Sequence, residues 1–136
     1  MAGVERRPAG GRSGGDVFVV RNDGGELHRI QVKTATAKEQ HKSHFAQFRV
    51  ALTQLRTPRE PDLVYVFALR LDSRWGPFLV IDRDALRIAH EEQGVGSPSD
   101  GAVTFRVTYT GSSIRCSDRD FLAFRDDWSR WPVLLR

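Results

Sequence analysis

The stretch Leu63-Val64-Tyr65-Val66-Phe67-Ala68-Leu69 limits what this chain can fold into more than any other. Seven apolar residues in succession, set behind Pro58 and Pro61, offer water no polar side. Such a run reads as a strand covered on both faces, and so as an interior member of a sheet with other layers packed against it. A second β-branched run, Asp16-Val17-Phe18-Val19-Val20, stops at Asn22-Asp23-Gly24-Gly25, residue types that tolerate the positive φ of tight hairpin turns. From Glu26 to Thr34 the pattern then alternates, with Leu27, Ile30 and Val32 among polar neighbours. Together these segments predict a β-hairpin.

The remaining chain supplies helices and further strands. Phe45, Phe48, Leu52 and Leu55 fit helical spacing while Phe48, Val50 and Leu52 fit alternation, which predicts a loop after Ala35 and then a strand passing into a helical turn. Trp75-Gly76-Pro77 is expected to turn the chain into a strand over 78–81. Asp82 or Asp84 can cap a helix reaching to about Glu92, with Leu86 and Ala89 inward and Gly94 at its end. Residues 96–101 read as a polar loop, residues 103–109 as an alternating strand, and a short helix is expected from Asp118, ahead of Trp128 and Trp131. Residues 1–15 hold five glycines and a proline and read as a flexible N-terminal arm. At 136 residues the rest, 16–136, fits a single α/β domain.

Composition narrows the functional classes. No apolar run approaches the roughly 18 residues that cross a bilayer, and the N-terminal residues have no hydrophobic stretch of the secretory kind, so a cytoplasmic protein with no membrane partner is expected. Cys116 is the single cysteine, which excludes an internal disulfide; it reads as an inert, partly buried thiol. The net charge of +4 is unevenly spread, because residues 28–59 carry seven lysines and arginines against Glu39 alone. A basic stretch of this kind suits a polyanion, and Lys38, Lys42, Arg49, Arg56 and Arg59 are the expected phosphate contacts. His41 and His44 lack a third ligand at metal-site spacing and read as surface polar residues.

An antiparallel hairpin brings the start of its first strand, Asp16, near the end of its second, Gln31-Val32-Lys33. Gln31 and Lys33 are two apart and therefore share one face of the sheet, with Val32 on the other. A carboxylate, an amide oxygen and the Val32 carbonyl are the hard oxygen donors a divalent cation prefers, and the Lys33 ammonium could orient a water or stabilise charge on phosphorus.

Gly14-Gly15-Asp16-Val17, a turn, then Ile30-Gln31-Val32-Lys33-Thr34 resembles the motif of the PD-(D/E)XK nuclease superfamily in its Q-x-K variants. The resemblance implies a restriction endonuclease-like fold, a mixed central sheet flanked by helices. It also implies catalytic roles for Asp16, Gln31 and Lys33, with Mg²⁺ or Mn²⁺ held by Asp16, Gln31 and the Val32 backbone carbonyl. The implied activity is a metal-dependent endonuclease hydrolysing DNA phosphodiester bonds, with a homodimer where both strands are cut. The only acid ahead of Asp16 is Glu5, behind a Pro/Gly-rich stretch, whereas many members carry a glutamate on a preceding helix. The alternative is accordingly a catalytically inactive nuclease-fold module that binds nucleic acid or a protein partner.

Overall fold

The computed structural model describes residues 3–8, 16–21 and 25–130; the side chains of residues 3–8, Asp16 and Arg130 lie outside that description. Within these bounds the strands build two sheets. The first has the order β1 (Gly3–Pro8), β2 (Asp16–Arg21), β3 (Leu27–Thr36), β6 (Leu63–Leu71) and β7 (Arg74–Asp82). It is mixed, because β3 and β6 run parallel while its other pairs are antiparallel. The second sheet is antiparallel and has the order β11 (Arg119–Asp120), β10 (Ser113–Cys116), β9 (Ala102–Thr110), β5 (Ser43–Ala51) and β4 (Lys38–Gln40), with β8 (Ser97–Ser99) also paired to β9. Two short helices, α1 (Leu52–Arg56) and α2 (Arg83–Glu91), complete an α/β architecture. Neither is long and apolar enough to cross a membrane.

The apolar run at 63–69 takes the place its composition demands. Residues Tyr65 to Leu69 are all buried, and β6 lies between β3 and the edge strand β7. One of its faces, Leu63, Tyr65, Phe67 and Leu69, packs against Phe48 and Val50 of β5 and Val103, Phe105 and Val107 of β9 in the main core. Phe48 and Phe67 stack in parallel with their centroids 4.5 Å apart, which joins one sheet directly to the other. The opposite face carries Val66, which forms a smaller cluster with Val20 and Ile30, edged by Phe18, Val32 and Phe78. The first sheet is thus covered on its inner face by a second sheet, where flanking helices were expected.

The parallel β3–β6 pair needs a long crossover, and the chain spends it on the second sheet and α1. β3 runs on to Thr36, the Ala37 N–H donates to the Arg70 carbonyl at 2.8 Å, and the chain then crosses into β4 and β5, so the loop expected after Ala35 is shorter than predicted. β5 passes directly into the helical turn α1, as the double periodicity indicates. Trp75-Gly76-Pro77 is not a turn: Asp72 and Ser73 make it, and β7 runs through all three residues. The proline is tolerated because β7 is an edge strand and its pairing with β6 is irregular between Ala68 and Arg70. The polar loop at 96–101 contains β8, and Gly96, at φ +86°, leaves no room for a side chain, since a Cβ there would stand 2.6 Å from Val103. No helix starts at Asp118, which with Ser117 takes a positive φ in the turn between β10 and β11. Single 3-10 turns follow at Leu122–Phe124 and Trp128–Arg130. The backbone of residues 3–8 pairs with β2 as a strand, while the rest of the expected arm, residues 9–15, lies outside the described residues.

One buried arginine fastens the helical side. Arg83 is 3% exposed at the start of α2; it donates to the Leu55 carbonyl at 2.7 Å and grips Asp62 with Nε and Nη2 at 2.8 and 3.2 Å. It thereby ties α1, the approach to β6 and α2 together. Burial pushes the Asp62 carboxyl up, but the Arg83 guanidinium and the Leu63 N–H outweigh it and hold the group below its ordinary value. Asp62→Ala would leave the buried guanidinium with only the more distant Asp84, 3.7 Å away, as counter-charge; because Asp62 itself is half-exposed, the expected destabilisation is about 2 kcal/mol, short of the figure for a fully buried pair. The contribution should be present above the ordinary carboxylate range and disappear as the pH falls below about 4, since the folded-state value is the lower one. Urea denaturation of both proteins between pH 3 and 7 checks this; parallel curves across that range would exclude a role for the charge pair.

Candidate functional site

The β2–β3 hairpin and the parallel β3–β6 pairing together fix the side chains of β3. Gln31 is opposite Val17 on one side and Tyr65 on the other, and Lys33 is level with Phe67. Arg29, two residues earlier, is flanked by Val19 and Leu63. Arg29, Gln31 and Lys33 therefore form a polar stripe down the centre of a sheet face whose neighbouring strands present apolar side chains, and that face is turned toward the second sheet. Val32, between them, points the other way and packs against the smaller cluster. Sequence reasoning singled out Gln31 and Lys33 but missed Arg29, which the same period of two would have added.

Burial makes the stripe unusual. Gln31 is 0% exposed and Lys33 8%, the only buried side chains of the described residues besides Arg83 to carry an amide or a charge. Desolvation lowers the Lys33 pKa from its ordinary value. The Arg29 Nε is buried with no hydrogen-bond acceptor among the described residues. Taking an amide and an ammonium out of water costs free energy that apolar side chains of similar volume would not, so their burial calls for compensating contacts. Beyond Lys33 the same strand borders a cleft of about 230 Å³ lined by Ala35, Thr36, Lys38, Phe45, Ala46 and Gln47.

The other residues expected to act divide into those the fold brings near this strand and those it does not. The register sets Val17, not Asp16, opposite Gln31; the Asp16 backbone is the first residue of β2, and its side chain lies outside the described residues. No group of three or more histidine, cysteine, aspartate or glutamate side chains among the described residues could hold a metal ion. Of the expected metal ligands, the Gln31 amide oxygen and the Val32 carbonyl fall among the described groups, and they do not by themselves make a site for Mg²⁺ or Mn²⁺. Of the five expected phosphate contacts, Lys38 and Arg49 lie on the second sheet, Lys42 is exposed in the turn between β4 and β5, and Arg59 is exposed ahead of β6. Arg56 is engaged by Glu91, 3.0 Å away. His41 and His44 fall in that same turn and on β5. Cys116 is fully buried, and burial pushes its thiol up to about 12, so it stays protonated and unreactive at neutral pH. Trp75 and Trp128 are half-exposed and flank Phe78 at centroid distances of 6.4 and 5.8 Å; Trp131 lies outside the described residues.

Comparison with known protein families, curated proteins and solved structures gave no match to this chain.

The burial of Lys33 has a measurable consequence. Its folded-state pKa lies below the ordinary 10.5, so between the two values the unfolded chain binds the extra proton. Wild-type stability should therefore rise with pH through that window, while Lys33→Met should lack the rise. Denaturant titrations of both proteins from pH 7 to 10.5 measure the difference; profiles that stay parallel would mean that Lys33 is solvated in solution.

Proposed function

We propose that this protein is a metal-dependent endonuclease with a restriction endonuclease-like fold, hydrolysing phosphodiester bonds of DNA at the β3 strand. The observation that supports the reading is the pair Gln31 and Lys33, buried together on one face of an otherwise apolar sheet. A lysine in a dry setting interacts more strongly with charge developing on a phosphoryl group than one in water, because less dielectric screening intervenes. In this reading Lys33 stabilises that charge or orients the attacking water. The Gln31 amide and the Val32 carbonyl supply oxygen donors, and Asp16, the aspartate of the motif, is the carboxylate this reading requires, although the strand register makes Val17 the residue level with Gln31. A bound Mg²⁺ or Mn²⁺ would contribute Lewis acidity and a water of lowered pKa. The mixed sheet with an antiparallel hairpin leading into a parallel strand is compatible with that fold, and its covering by a second sheet is this chain's own variation.

Plasmid and oligonucleotide cleavage with Mg²⁺ or Mn²⁺ tests the proposal. Asp16→Ala and Lys33→Met should each reduce cleavage by about 100-fold or more, the scale of losing one transition-state contact, while DNA binding in Ca²⁺ stays within about twofold of wild type. Cleavage that survives Asp16→Ala would place the chemistry elsewhere. Binding without any cleavage would identify instead a nucleic-acid-binding module on the same fold.

A further inference from the structure

The arginines of this protein fall into two groups by what holds them. On the helical side Arg56, Arg83 and Arg87 each lie within 4.0 Å of a carboxylate, those of Glu91, Asp62 and Asp84 respectively. On the outer face of the second sheet the partners are neutral oxygens. Arg49 donates to the Ser99 carbonyl at 3.3 Å, Arg106 to the Gln40 amide oxygen at 2.9 Å, and Arg115 to the Asp118 carbonyl. None of these three guanidinium groups has a carboxylate within 4.0 Å among the described residues; the acids that stand nearest Arg115 are Asp120, level with it on β11, and Asp118, whose carbonyl it holds.

The strand register groups them. Arg115 of β10 is level with Thr108 of β9, Thr108 with Phe45 of β5, and Phe45 with Lys38 of β4. That makes a row across four strands, about 14 Å long at the usual spacing between strands. Arg106 leans over this row, its Cζ 4.0 Å from the centre of the Phe45 ring. Arg49 lies further along β5, level with Thr104. Between Arg106 and Arg115 opens a groove of about 440 Å³, to which Thr108, Thr110 and Ser113 contribute hydroxyls and Asp118 the acidic side chain.

We propose that this outer face is a binding surface for single-stranded nucleic acid, with Arg106 and Arg115 on its phosphates and the Arg106–Phe45 pair as a platform for a base. The charge calls for a polyanion, and guanidinium groups with free donors match phosphate geometry. An aromatic ring with a guanidinium over it on an exposed sheet face suits unpaired bases, which stack on aromatic and guanidinium groups; a duplex keeps its base faces covered. The hydroxyls provide further neutral donors along the groove. The surface is carried by the arginine geometry, and it rests on the nuclease reading only for nucleic acid as the polyanion.

Fluorescence anisotropy with single-stranded and duplex oligonucleotides of equal length, in Ca²⁺ and across a salt series, tests the assignment. The double variant Arg106→Gln/Arg115→Gln should bind the single strand about tenfold or more weakly, and the slope of log K against log salt should fall in magnitude by about 1.4, two contacts' worth for a single strand. Arg56→Gln, which removes an arginine already paired to Glu91, should bind within about twofold of wild type, and Arg87→Gln, which removes one paired to Asp84 and Glu91, should do the same. Circular dichroism of each variant establishes that it is folded, and Phe45→Ala, which removes the ring without touching charge, should weaken single-strand binding while leaving the salt slope unchanged. Unaltered affinity in the double variant would overturn the surface while leaving the proposed chemistry at Lys33 standing. Duplex binding as tight as single-strand binding would overturn the single-strand assignment. A wild-type protein that binds no nucleic acid but cleaves it would also overturn the surface, whereas one that neither binds nor cleaves would overturn both readings.

Discussion

Phe48 of β5 and Phe67 of β6 stack with their ring planes 3° apart, and the arrangement of the molecule depends on that contact. Each ring is buried, and Phe105 of β9 stands 6.1 Å from Phe67, so the three rings clamp the mixed sheet onto the antiparallel one. Large buried aromatic side chains contribute more apolar area than any other residues, and losing one commonly costs about 3–5 kcal/mol. With the clamp in place, the inner face of β3 is enclosed. Without it, Gln31 and Lys33 would be ordinary residues on a solvated sheet.

That enclosure gives the two faces of one strand different surroundings. β3 contributes Ile30 and Val32 to the smaller apolar cluster on one side, and Arg29, Gln31 and Lys33 to the stripe on the other. Alternation makes the division automatic, since successive side chains leave a strand on opposite faces. The polar stripe lies against apolar neighbours from β2 and β6, where it weakens packing and strengthens electrostatics. Desolvation there lowers the Lys33 pKa, a perturbation that a solvated face would not impose.

Charge is distributed by the same two-sheet plan. Ion pairs collect around α2, where Arg87 bridges Asp84 and Glu91 along one helix face and Arg83 reaches Asp62. The outer face of the second sheet has its guanidinium groups fixed by carbonyl and amide oxygens, which orient them. A basic stretch in the sequence is therefore divided by the fold: Arg56 is drawn into an ion pair, while Lys38 and Arg49 join Arg106 and Arg115, residues far away in the chain.

Local physics in the sequence determined a good deal. Seven successive apolar residues specify a strand covered on both faces, alternation specifies that Gln31 and Lys33 share a face, and the positions of Leu86 and Ala89 specify the inward side of α2. These are properties of a few neighbouring residues and need no partner to be read. The loop expected at 96–101 and the helix expected at Asp118 failed because short strands such as β8 and β11 owe their existence to the strands beside them, a dependence that three residues of sequence do not express. Likewise only the tertiary structure decided that β3 and β6 run parallel, that a second sheet covers the first, and that Arg106 and Arg115 meet the row begun by Lys38 and Phe45. Such pairings join segments tens of residues apart, and they are selected by which apolar faces bury each other best, a quantity that belongs to the whole chain and to no segment of it.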